Sequence, residues 1–159
     1  MKPELLDELE DLCGRRGWTV GLAESCTGGL LSASICARPG VSKLFKGSIV
    51  SYARDVKESV LGVRKSLMQV HGEVSLPVAV EMARGAAEVL NCDWSVSITG
   101  IAGPSGGTPE KPVGTVCFAV VGPGIERFES KLFPADGGRQ DIQRQAAIFA
   151  FEFLLSAMR

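Results

Sequence analysis

Histidine is almost absent from this sequence, since His71 is the only one in 159 residues. A metal site built from several histidines of one chain is therefore excluded. A Ser-His-Asp triad could use only His71, which lies in Val70-His71-Gly72-Glu73, a stretch that we interpret as a loop. Because a loop histidine is more commonly solvated than catalytic, we expect any nucleophilic centre to use a lysine or a carboxylate as its base.

Closely spaced cysteines are also absent. The chain has an odd number of cysteines and no CxxC pair, so neither a zinc site nor a disulfide framework is indicated. We expect reduced, mostly buried thiols in a cytoplasmic protein. The five positions are Cys13, Cys26, Cys36, Cys92 and Cys117.

Long apolar runs and an excess of one charge are missing too. The longest fully apolar run, Val116 to Val121, is far too short to span a bilayer. Met1-Lys2-Pro3-Glu4 is not followed by an apolar segment, so we expect no signal peptide. Lys and Arg number 17 against 18 for Asp and Glu, which predicts neither a nucleic-acid partner nor a membrane partner.

Patterns of helix and strand are what the sequence does contain. Their alternation, followed by a hairpin, predicts an α/β fold: one domain over residues 1–159 with three layers (α/β/α) and a mixed sheet. Helices are predicted over residues 3–16, 30–37, 55–61, 66–70, 77–90 and 139–158. Strands are predicted over residues 18–23, 47–52, 93–99, 113–121 and 125–133.

Two turns follow the carboxyl ends of predicted strands, where open α/β sheets bind their ligands. In Glu24-Ser25-Cys26-Thr27-Gly28-Gly29, the first N–H groups of the next helix suit an oxyanion or a phosphate. The alternative is that Ser25 or Thr27 is only a helix N-cap, because the turn lacks the G-x-S-x-G pattern of the hydrolase elbow. The second turn, Thr99 to Gly107, could wrap a ligand or could be a surface loop.

Several polar residues are candidates for chemistry or binding. Tyr52 ends the second predicted strand, and Lys57 follows five residues later. A lysine near a serine can act as general base if burial lowers its pKa; the alternative is a solvated surface lysine. Arg139 and Arg144, near the start of the last helix, could bind a phosphate or could be solvated.

Four blocks of distinctive residues follow one another along the chain. In this order they resemble the family of the C-terminal domain of competence/damage-inducible protein CinA, which also occurs as a stand-alone nicotinamide-nucleotide amidase. The resemblance extends from about Leu5 to Leu155. The blocks are Ala23-Glu24-Ser25-Cys26-Thr27-Gly28-Gly29, Tyr52-x4-Lys57 with Leu61-Gly62-Val63, Thr99-Gly100-Ile101-Ala102-Gly103-Pro104, and Glu110-Lys111-Pro112-Val113-Gly114-Thr115-Val116.

The resemblance implies a deamidase of nicotinamide mononucleotide, active in pyridine nucleotide salvage, that makes nicotinate mononucleotide and ammonia. It implies catalysis by Ser25, Lys57 and Tyr52 through a serine acyl-enzyme, with Tyr52 orienting or relaying the proton and no metal or cofactor. We expect N–H groups around Thr27 to Gly29 to hold the oxyanion. Substrate binding is expected from Glu24, Thr27, Gly28, Gly29, Thr99, Gly100, Gly103, Arg139 and Arg144.

The chain also departs from the family pattern. Ala53-Arg54-Asp55 stands where Ser-Asn-Glu is common, and Glu73 stands where alanine is usual. Gly137-Gly138-Arg139 replaces G-D-R, and Gln143 replaces the first of two arginines, leaving Arg144. These differences concern substrate binding more than the chemistry.

Two further expectations concern partners. The alternative to an enzyme is a binding module of a competence or DNA-damage response, which would hold a nucleotide or a protein without turnover. The last helix is apolar nearly all round, which predicts a homodimer or higher homo-oligomer. Its apolar residues include Ile142, Ala146, Ile148, Phe149, Phe151, Phe153, Leu155 and Met158.

Overall fold

Helices and strands alternate along residues 3–159, the part of the chain that the computed structural model describes. All predicted elements are present, with ends displaced by two residues or fewer. A short 3-10 helix, Val41–Lys43, was not expected. The helices are α1 (Pro3–Arg16), α2 (Leu30–Cys36), α3 (Arg54–Ser59), α4 (Lys65–His71), α5 (Leu76–Leu90) and α6 (Gly138–Met158). The strands are β1 (Val20–Glu24), β2 (Phe45–Val50), β3 (Trp94–Gly100), β4 (Thr115–Gly122) and β5 (Ile125–Leu132).

One mixed sheet organises the domain, in the strand order β2-β1-β3-β4-β5. β1 is parallel to both β2 and β3, whereas β4 and β5 are antiparallel additions. Helices α1, α2 and α6 pack on one face of the sheet, and α4 and α5 lie on the other. The predicted three-layer α/β/α fold is confirmed.

Alternation along β3 explains how one strand serves both faces. Val96 and Ile98 join the core beneath α6. Ser95 and Ser97 point to α5, where their hydroxyls donate hydrogen bonds of 2.6 Å to the carbonyls of Ala83 and Ala79. Both serines are fully buried, so these bonds satisfy hydroxyl groups that water cannot reach.

The last helix is more completely covered than the sequence indicated. One face of α6 is buried in the core, and Phe149 and Phe153 pack against the same core. Within residues 3–159, none of the strongly exposed large apolar side chains belongs to α6. Within these residues, α6 therefore presents no strongly exposed large apolar side chain for a second copy to cover, and a homo-oligomer stays a prediction. No helix among these residues is long and apolar enough to cross a membrane.

Candidate active site

A cleft of about 280 Å³ lies at the carboxyl ends of β1 and β3. It brings together six of the predicted site residues, which come from four separate parts of the chain. The lining residues are Ser25, Cys26, Tyr52, Lys57, Glu73, Val74, Thr99, Gly100, Ala102 and Arg139. His71, expected in a loop, instead ends α4, and it does not line the cleft.

Ser25 and Lys57 meet at the bottom of this cleft. Lys57 Nζ lies 3.0 Å from Ser25 Oγ, and its side chain is only 1% exposed. The same Nζ donates to the carbonyl of Ser51 at 2.7 Å and lies 3.4 Å from that of Tyr52. Two carbonyls can thus take the two N–H groups of a neutral amine, which leaves its lone pair for the serine hydroxyl.

Burial also favours the neutral amine. Desolvation lowers the pKa of Lys57, and the Glu73 carboxylate, 3.6 Å from Nζ, acts in the opposite direction. A lysine with a lowered pKa can act as a general base nearer neutral pH. The alternative reading of Lys57 as a solvated surface lysine is therefore wrong.

Glu24 does not face a substrate, contrary to expectation. It is fully buried, and its carboxylate accepts five hydrogen bonds within the protein. Backbone N–H groups at the start of α2 are thereby satisfied by the residue that precedes Ser25. Glu24 therefore fixes the shape of the turn that carries Ser25. The donors are the N–H groups of Gly29, Leu31 and Ser32 and the hydroxyls of Thr27 and Ser48.

The same hydrogen bonds change which N–H groups are available to bind an oxyanion. The N–H of Gly28 donates to the carbonyl of Ser25, and that of Gly29 donates to Glu24, so neither is available to a substrate. Among residues 3–159, no oxygen atom of the protein accepts a hydrogen bond from the N–H groups of Cys26 and Thr27. They belong to the two residues directly after Ser25 and are the better candidates for an oxyanion.

Replacing Glu24 by glutamine is expected to destabilise the domain by about 2–3 kcal/mol. The amide keeps the shape but turns one acceptor oxygen into a donor, which leaves buried N–H groups unpaired. Urea unfolding of Glu24→Gln measures this loss. Glu110→Gln, which changes an exposed glutamate, is the matched control. An unchanged unfolding midpoint in Glu24→Gln would contradict the structural role.

Tyr52 has a different partner from the one expected. Its hydroxyl accepts a hydrogen bond from Arg139 Nη2 at 2.7 Å, and its side chain is 59% exposed. Lys57 contacts only the main-chain carbonyl of Tyr52, so the phenol does not relay the serine proton in this arrangement. Arg139 Nη1 donates to the carbonyl of Gly103 at 2.8 Å. These two bonds hold the guanidinium at the cleft.

Arg144 is not at the site. Its side chain is 67% exposed and lies 3.8 Å from Asp141, away from the lining residues. Gln143, for which the sequence predicted no role, donates to the carbonyl of Cys26 at 2.8 Å. Helical spacing is the signal that identifies Gln143. It lies four residues after Arg139 and so shares a helix face with it, whereas Arg144 lies five residues after Arg139 and does not.

The predicted ligand loop, Thr99 to Gly107, supports the cleft through packing and one side-chain hydrogen bond. The Thr99 hydroxyl donates to the main-chain carbonyl of Glu73 at 2.9 Å. A side chain at Gly100 would approach Val116 to 2.7 Å, and one at Gly103 would approach Val113 to 2.5 Å. Neighbouring side chains therefore leave no room for a side chain at either glycine. Of the two, only Gly100 lines the cleft.

Comparison with known proteins agrees with this architecture. The sequence profile described as the CinA C-terminal domain matches residues 3–158. A CinA-like protein from Fervidobacterium nodosum is 44% identical over 95% of this chain, and one from Anaeromyxobacter dehalogenans is 47% identical over 96%. The chain spans only 36% and 38% of those two relatives' own lengths.

Solved structures give the same result. The competence or damage-inducible protein from Enterobacter asburiae has a TM-score of 0.92 at 33% identity, and 98% of this chain and 97% of that one are covered. The competence/damage inducible protein CihA from Agrobacterium tumefaciens has a TM-score of 0.93 at 33% identity, over 98% and 94%. The chain belongs to the CinA C-terminal domain family.

Proposed function

We propose that this domain hydrolyses the carboxamide of nicotinamide mononucleotide to nicotinate mononucleotide and ammonia. The observation that carries the chemistry is the 3.0 Å contact between Lys57 Nζ and Ser25 Oγ inside a cleft. A buried lysine beside a serine matches a nucleophile and its base. The choice of substrate rests on the resemblance to the family's amidases.

Acylation begins when neutral Lys57 takes the hydroxyl proton of Ser25. Ser25 Oγ then bonds to the carboxamide carbon, and the N–H groups of Cys26 and Thr27 hold the oxyanion. As the C–N bond breaks, the proton on Lys57 passes to the leaving nitrogen, which departs as ammonia. Each donor to an oxyanion is typically worth about 3–4 kcal/mol.

Deacylation repeats these transfers with water. Neutral Lys57 takes a proton from water, whose oxygen attacks the acyl carbon, and the ester bond to Ser25 breaks. The proton returns from Lys57 to Ser25 Oγ, and nicotinate mononucleotide is released. The chain's own residues account for each proton transfer, so the mechanism requires no metal or cofactor. Five free thiols suit the reducing cytoplasm, which we propose as the compartment.

Incubation of the purified protein with nicotinamide mononucleotide tests the function directly. Ammonia and nicotinate mononucleotide are expected in equal amounts. A binding module of a competence or DNA-damage response would bind the nucleotide, or a protein, without releasing ammonia. The Ser25–Lys57 contact favours the enzyme, because a binding module has no need of a buried lysine against a serine.

Arg139 is the proposed reader of the substrate's phosphate. Tyr52 and Gly103 occupy two of its N–H donors, and a guanidinium has further donors with which to bind an anion. Arg139→Ala is expected to raise KM for the mononucleotide about tenfold or more and to change kcat less, because the phosphate does not react. Steady-state kinetics measure both constants.

The phosphate-free riboside completes this experiment. Arg139→Ala should barely change the rate with the riboside, which is expected to be a poor substrate of the unaltered protein. Arg144→Ala removes an arginine that does not line the cleft and is the control. Equal proportional losses on the mononucleotide and the riboside would show that Arg139 does not read the phosphate.

A further inference from the structure

We propose that Glu73 is a positioning residue that completes a Ser25–Lys57–Glu73 chain by stabilising the ammonium that forms on Lys57 during the reaction. The inference rests on the proposed function, since it concerns the same proton transfer.

The geometry places Glu73 beside the base. Its Oε2 lies 3.6 Å from Lys57 Nζ, which in turn lies 3.0 Å from Ser25 Oγ. Lys57 is 1% exposed and the Glu73 side chain is 38% exposed. Among the described residues that line the cleft, Glu73 supplies the only carboxylate. It is therefore the available counter-charge for a proton that arrives on Lys57.

The main chain around Glu73 is held firmly in place. Thr99 donates to the carbonyl of Glu73 at 2.9 Å. Lys111 Nζ donates to the carbonyls of His71 and Val74 at 2.6 and 2.7 Å. These contacts join the segment before α5 to β3 and to the loop before β4. The side chain of Glu73 thus starts from a fixed point, which is what a positioning residue needs.

The other groups near Lys57 do not serve this purpose. From the β1–α2 turn comes the Cys26 thiol, whose pKa burial raises to about 12, so it carries no charge near neutral pH. The phenol of Tyr52 and the guanidinium of Arg139 are paired with each other at the cleft. The carboxylate of Glu24 is fully engaged with the start of α2. Among residues 3–159, Glu73 is the only residue whose carboxylate forms an ion pair with Lys57 Nζ.

Glu73 acts without taking the proton. The proton moves from Ser25 Oγ to Lys57 Nζ as the C–O bond forms, and it leaves on ammonia as the C–N bond breaks. The carboxylate lowers the free energy of the intermediate ammonium, as the aspartate of a serine protease does for its imidazolium. Removing it makes Lys57 a weaker base that loses its proton at lower pH.

Glu73→Gln tests this role through the dependence of kcat/KM on pH. The acidic limb of the profile is expected to move to lower pH by about 1 unit, and the rate above the limb is expected to fall about tenfold. Glu73→Asp should restore part of both effects. Glu58→Gln changes an exposed glutamate next to Lys57 in the sequence and is the control. A folded Glu73→Gln protein with the unaltered limb and rate would overturn the proposal.

A measurement without substrate separates this inference from the proposed function. NMR titration of the Lys57 side chain in the free protein should show a lower pKa in Glu73→Gln than in the unaltered protein and in Glu58→Gln. If the unaltered protein releases no ammonia from nicotinamide mononucleotide but this difference is found, the substrate is wrong and the Lys57–Glu73 coupling is supported. Identical Lys57 titrations in all three proteins would refute the coupling itself.

Discussion

Ser25→Ala is expected to lower kcat for ammonia release by at least about a thousandfold. The substitution removes the oxygen that forms the acyl-enzyme, and loss of a nucleophile has effects of this order or larger. Ser25 is 7% exposed at the end of β1, and alanine fits the same space. The fold should therefore survive, as thermal unfolding would verify.

A substitution of a second serine outside the cleft is the control for this test. Ser34 lies in α2 and donates its hydroxyl to the carbonyl of Leu30, outside the cleft. Ser34→Ala should leave ammonia release close to that of the unaltered protein. If folded Ser25→Ala retains near-normal ammonia release, Ser25 is not the nucleophile.

Lys57→Met is the second substitution with a very large expected effect, again at least about a thousandfold in kcat. Methionine approximates the length of the lysine side chain but cannot accept a proton, so Ser25 loses its base. Two carbonyls, of Ser51 and Tyr52, also lose their donor, which predicts some loss of stability. Binding of nicotinamide mononucleotide should remain measurable by calorimetry.

The pH profile adds an independent test of Lys57. Burial lowers the pKa of Lys57, and in the proposed mechanism only the neutral amine can accept the serine proton. Activity should therefore rise with pH through this lowered pKa, below the ordinary range of lysine. Lys65→Met, at an exposed position of α4, is the control and should keep the acidic limb of the pH profile unchanged. A Lys57→Met protein that retains both rate and limb would show that another residue is the base.

The fold and the location of the site could be predicted because both depend on local patterns. Hydrophobic periodicity fixed the order of helices and strands, and the Ser25 turn and the Thr99 loop were placed at strand ends where ligands bind. Lys57 could be named from the family motif. Its burial could not be predicted, since that depends on contacts with residues remote in sequence, such as Ser25 and Glu73.

The errors concern side chains whose hydrogen-bond partners the sequence pattern does not specify. Glu24 bonds mainly to its own turn and to the start of α2, and the Ser48 hydroxyl of β2 completes its surroundings. Tyr52 pairs with Arg139, 87 residues away, rather than with its sequence neighbour Lys57. Sequence spacing carries no information on such pairs. The role proposed for Glu73 likewise depends on a contact between α3 and the segment that joins α4 to α5, which only the tertiary structure brings together.

The occupied start of α2 has a consequence for the end of the reaction cycle. Hydrolysis turns a neutral carboxamide into a carboxylate at the same position, and an open helix N-terminus would attract that new negative charge. Here the carboxylate of Glu24 already accepts the N–H groups of Gly29, Leu31 and Ser32. In the proposed reaction, the product would therefore meet fewer unpaired donors than an uncapped helix presents, which favours its release.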